Sequence, residues 1–70
     1  MLLTNETLGK RIAHYRKERN LIQVNLATSI GIRPRHLSAI ETGRKVPRIH
    51  TLARLAATFG VSIDELVGKC

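Results

Sequence analysis

The 70-residue sequence has no tryptophan, one tyrosine (Tyr15) and one phenylalanine (Phe59). Any core must therefore come from aliphatic side chains and alanine, which favours helices in close contact. Cysteine is almost absent. Cys70 stands alone as the last residue, and one thiol makes neither an internal disulfide nor a cysteine metal cluster. Acidic residues are few, five Asp or Glu against twelve Lys or Arg. No nucleophile–base arrangement, metal-ligand cluster or phosphate loop can be read from what remains. His14 and His50 match no ligand spacing and read as surface histidines. The expectation is a protein that is not an enzyme and holds no metal or cofactor. Long apolar runs are missing too. Nothing approaches the roughly 18 residues of a membrane span, and Met1-Leu2-Leu3 is too short for a secretory signal and lacks its cationic start. A cytoplasmic chain without membrane contact is expected.

What the sequence does have is positive charge, a formal +7 at neutral pH. Such an excess says nothing about fold but draws polyanions. The length allows one domain at most. A chain this small buries only about 60% of its unfolded surface, so one economical core is expected.

Apolar periodicity predicts five short helices and no strand. Leu8, Ile12 and Tyr15 recur at i, i+4 and i+7, giving a helix from about Asn5 to Arg19. Asn20 follows as a left-handed terminator. A second helix runs from about Gln23 to Ile30, with Leu26, Ala27 and Ile30 turned inward and Gly31 ending it. A third begins at Pro34, since proline suits the first helical position, and ends before Gly43. After Pro47, Ile49, Leu52, Leu55, Ala56 and Phe59 form the inward stripe of a fourth, closed by Gly60. Ser62 and Glu65 have the spacing of a capping box at the front of a fifth.

Ala27, Gly31, Leu37 and Ile40 belong together. Two short helices joined by a tight glycine turn make a helix-turn-helix, here at about 23–42. Ala27 is small where the third helix crosses, and Leu37 and Ile40 anchor that helix. At this point the segments LGKRI, RKERN, QVNLA, SIGI, LSAIETG, VP, LARLAATFGVS and DEL, in their order and spacing, make the chain resemble the lambda-repressor-like, Cro-type (XRE) family of DNA-binding domains. The resemblance implies a compact all-α, five-helix domain filling 1–70.

It also implies roles. Gln23 resembles the residue whose side chain and backbone amide meet a phosphate, at a helix N-terminus suited to anions. Arg16 and Glu41 resemble a structural ion pair between the first and third helices. Projection at about 100° per residue sets Arg35, Ala39 and Thr42 opposite Leu37 and Ile40, with Pro34 at the tip and His36 and Ser38 beside them. Arg35 is the candidate to read guanine, because a guanidinium donates twice to it, and Ala39 the candidate to meet a thymine methyl. Pro34 and Ser38 join them as base-reading candidates. Arg33, His36, Thr42, Arg44, Lys45 and Arg48 are candidates for the DNA backbone.

The sequence departs from the family at Ile22, Arg33 and Arg48, where Ser or Thr commonly caps the next helix. None of the three accepts a hydrogen bond, and a missing cap costs about 0.5–2 kcal/mol. Arg33 and Arg48 are expected to exchange stability of the free protein for phosphate affinity. Val24 and Asn25 stand where acidic residues are common, which makes that side more positive.

The leading expectation is a sequence-specific transcriptional regulator of double-stranded DNA, a repressor that binds a two-fold operator as a homodimer. The dimer is expected to use the domain itself, through Val61, Ile63 and Val67. The alternatives are an antitoxin paired with a toxin or a restriction–modification controller of the same fold, or an interaction module for an acidic protein partner.

Overall fold

The computed structural model describes residues 5–68, and these form five helices: α1 Asn5–Glu18, α2 Gln23–Ile30, α3 Pro34–Glu41, α4 Ile49–Phe59 and α5 Ile63–Leu66. No strand occurs among the described residues. α3 packs on both α1 and α2, and α4 bridges α2 to α5. Leu8, Ile12, Leu26, Ala27, Ile30, Leu37, Ile40, Leu55, Ala56, Phe59 and Leu66 share one buried core. Each fully buried aliphatic side chain contributes about 1.5–3 kcal/mol. Leu37 and Ile40 thus supply most of what holds α3 down.

Helix ends follow the local chemistry. α1 to α4 all finish in the same left-handed cap. Asn20 provides it for α1 with φ 55°; its amide donates to the Lys17 carbonyl and that of Leu21 to the Arg16 carbonyl. Those two bonds satisfy carbonyls that a helix terminus leaves open. Gly31 does the same for α2 at φ 77°, which turns the chain from α2 into α3. α5 opens with a complete capping box, Ser62 accepting from the Glu65 amide at 3.0 Å.

Two features differ from sequence expectation or lie beyond it. Ile49 belongs to the inward stripe by periodicity, yet it is 61% exposed. It opens α4, and that first turn overhangs the core, which begins only at the half-buried Leu52. Gly9, inside α1, is buried against the end of α3. A Cβ there would overlap the carbonyl oxygens of Ile40 and Glu41. A glycine in a helix interior costs about 0.5–1 kcal/mol, and here it allows backbone to lie directly on backbone.

Candidate nucleic-acid interface

α3 is divided lengthwise. Leu37, Ile40 and Glu41 are buried, while Pro34, Arg35 and His36 are exposed and Ser38 and Ala39 half-buried. Two apolar anchors three residues apart fix one stripe of the helix, and the 3.6-residue period turns Arg35 and Ala39 outward. Arg33, Arg35, His36, Ala39, Arg44 and Lys45 line an open cleft of about 700 Å³ on this side. Arg44 is held in place. Its Nε donates to Thr42 Oγ1 at 3.2 Å, and the Thr42 hydroxyl donates to the Ser38 carbonyl at 3.0 Å. Thr42, a candidate backbone contact, therefore supports Arg44 from the end of α3.

Three helix fronts are bare, that of α3 at this cleft. Ile22, Arg33 and Arg48 precede α2, α3 and α4 and make no side-chain cap bond. None of these helices has an acidic residue in its first turn. Unpaired N–H groups and the positive end of the helix dipole thus add to the side-chain charge.

Arg16 and Glu41 form a two-pronged ion pair. Arg16 Nε donates to Glu41 Oε2 at 2.8 Å and its Nη2 to Oε1 at 3.1 Å. Their side chains are only 12% and 6% exposed. The third nitrogen, Nη1, donates to the Leu21 carbonyl at 2.8 Å. Gln23 Nε2 also donates to Glu41 Oε1, at 3.0 Å. One residue from each of α1, α2 and α3 therefore meets at this carboxylate, and Gln23 is oriented by it at the front of α2.

A second, smaller groove runs past this junction, lined by Lys10, His14, Lys17, Gln23, Glu41 and Thr42 among others. Of the α1 residues of this groove, Arg16 was a sequence candidate for the ion pair, while Lys10, His14 and Lys17 were not candidates for the interface. Their spacing of i, i+4 and i+7 was the available signal, since it places Lys10, His14 and Lys17 on one face. α3 separates the two grooves: His36 and Ala39 look into the first, Glu41 and Thr42 into the second.

Other arginines serve the fold. Arg54 Nη1 donates to the carbonyl of Ile30, the last residue of α2, at 3.1 Å. Arg19 Nε donates to that of Phe59, the last of α4, at 3.0 Å. Arg11 reaches the Glu65 carbonyl in α5 at 2.9 and 2.7 Å. Each cation sits at the carbonyl end of a helix, against the negative pole of its dipole. Arg19 also lies over the rings of Tyr15 and Phe59, which stack on each other 5.6 Å apart. Val61, Ile63 and Val67 are half-buried and pack against the core from its α5 edge.

The comparisons with known proteins agree with this geometry. A helix-turn-helix family model matches residues 12–66. The chain is 38% identical over 63 residues to the immunity repressor protein of Bacillus phage phi105, covering 90% of this chain and 44% of that protein. It thus spans less than half the length of that relative. Of the solved structures, the clp gene regulator ClgR from Corynebacterium glutamicum superposes with a TM-score of 0.86 at 28% identity, over 91% of this chain and 68% of that one. SinR, a master regulator for biofilm formation solved in complex with DNA, superposes with a TM-score of 0.78 at 35% identity, over 84% of this chain and 95% of that one. With its turn at Gly31, its anchored α3 and most of its length matched, the chain belongs to the lambda-repressor-like, Cro-type helix-turn-helix family.

Proposed function

We propose that the chain is a sequence-specific double-stranded DNA-binding transcriptional regulator, a repressor that acts as a homodimer on a two-fold operator. The observation that carries this reading is the division of α3, with Leu37 and Ile40 buried and Arg35 and Ala39 facing a cationic cleft. A helix of this kind fits the major groove, where each base pair shows a distinct edge. The likeness to a DNA-bound SinR at 35% identity and to a phage immunity repressor supports both DNA and repression.

In this reading Arg35 pairs with guanine, Ala39 meets a thymine methyl, and Pro34 and Ser38 complete the base-facing edge. Arg33, His36, Arg44, Lys45 and Arg48 hold phosphates beside it, with Gln23 at the front of α2 and Thr42 as the support of Arg44. Two such helices enter successive major grooves about 34 Å apart when two copies pair, and Val61, Ile63 and Val67 form the apolar edge for that pairing. No described helix is long and apolar enough to cross a membrane. The proposed place of action is the cytoplasm.

Selection of bound sites from random duplex DNA tests the whole reading. A palindromic consensus with a guanine in each half-site is expected. Recovery of no consensus sinks sequence-specific reading, and a single unrepeated half-site sinks the two-fold dimer.

A further inference from the structure

The two grooves beside α3 have different owners. Arg33, Arg35, Arg44 and Lys45 line one, on α3 and the segment after it; Lys10 and Lys17 line the other, on α1. Four further arginines, Arg11, Arg16, Arg19 and Arg54, donate to backbone carbonyls inside the fold. These four close gaps between helices, and the groove cations Arg33, Arg35, Lys45 and Lys17 make no such bond to a backbone carbonyl among the described residues. Arg16 also lines the second groove, as part of its floor.

A major groove is about 12 Å wide, and a helix with its side chains is about 10–12 Å across. A helix seated there has a phosphate strand on each side. Resting on the proposed reading of α3, we infer that Lys10 and Lys17 of α1 take the phosphates of one bordering strand while Arg44 and Lys45 take those of the other. The duplex is then held from both walls of the groove. Lys10 and Lys17 are seven residues apart, about 10 Å along the helix axis, so they span more than one phosphate. His14 lies between them on the same face, its Nε2 3.4 Å from Glu18 Oε1. Between this lysine row and α3 lie Gln23, at the uncapped front of α2, and Thr42. The Arg16–Glu41 pair fixes the distance between the walls, because it ties α1 to α3.

The test uses the full chain with both substitutions, Lys10→Gln and Lys17→Gln. Both side chains are exposed, and thermal melting checks that the fold is kept. Binding to the selected duplex is measured against salt. Each phosphate contact contributes about 0.9 to the slope of log K on log salt, so the double variant should lose about 1.8 of the slope and keep its base preference. Uncharged methylphosphonate linkages placed in one bordering strand should weaken the wild type clearly more than the double variant, which keeps only the Gln23 contact there. The same linkages in the other strand should weaken both proteins. A double variant with the wild-type slope, or one equally sensitive to linkages in either strand, overturns the inference while the reading of α3 stands. A wild-type chain with no salt-dependent duplex binding overturns both.

Discussion

Arg16 and Arg35 bring the same guanidinium to opposite ends of α3, and their surroundings give them opposite work. Arg16 has all three nitrogens engaged within the protein, on Glu41 and the Leu21 carbonyl. Arg35 is exposed on the cationic cleft. Arg11, Arg19 and Arg54 side with Arg16, each closing the far end of a helix. Four of the twelve Lys and Arg are thus internal fastenings. A formal charge of +7 therefore overstates what the chain directs at a polyanion, and the position of a cation matters more than its count.

Glu41→Ala gives the largest effect expected from breaking this contrast. It strands a nearly buried Arg16 and removes the acceptor of Gln23. Leaving one member of a buried pair uncompensated costs about 3–5 kcal/mol, comparable to the whole stability of a small domain, about 5 kcal/mol at the low end. Urea denaturation should find the variant largely unfolded at room temperature. Arg35→Ala should do the reverse. Its melting temperature should stay within error of the wild type. Competition between operator and guanine-substituted duplexes should show about 1–3 kcal/mol less discrimination at one position per half-site. If both variants lowered melting and discrimination together, the two classes of arginine would not be separate.

Arg54→Ala sharpens the contrast by testing a fastening far from the cleft. It uncaps the Ile30 carbonyl, and about 1 kcal/mol of stability should go, seen as a melting temperature lower by about 4–8 °C for a chain of this size. Operator preference should persist. Arg33→Ser has the smallest effect and the opposite sign. A serine there accepts from the open amides of α3 and removes a cation from the positive end of the helix, a gain of about 0.5–1 kcal/mol. The variant should melt higher and bind DNA more weakly. A variant that melts no higher would show that the bare front of α3 carries no cost in the free protein.

The fold was legible in the sequence because its punctuation is local. Asn20, Gly31, Gly43 and Gly60 stand where the chain turns left-handed, and Ser62 with Glu65 marks the last helix front. The family resemblance pairs Glu41 with Arg16, and the structure has the two in contact at 2.8 Å. The helix-closing arginines were not legible. Arg11, Arg19 and Arg54 find their carbonyls 54, 40 and 24 residues away. Periodicity along one helix does not say which other helix ends beside it. Ile49 misled because periodicity continues past the point where the core stops. In the candidate site, the outward edge of α3 followed from its buried anchors. The lysine row of α1 did not, because its role depends on which helix lies across from it.

Gly9 bears on how the molecule meets a ligand. Its backbone lies against the closing carbonyls of α3 with no side chain between them. A contact without rotatable bonds gives little room for rocking, so the helix proposed to enter the groove is held at a fixed attitude beforehand. Little ordering entropy then remains to be lost on association, a cost of about 0.5–1.5 kcal/mol for each flexible side chain that must be immobilised. A larger residue at position 9 would therefore act at a distance, tilting α3 and blurring recognition with the identity of every residue on its outward edge unchanged.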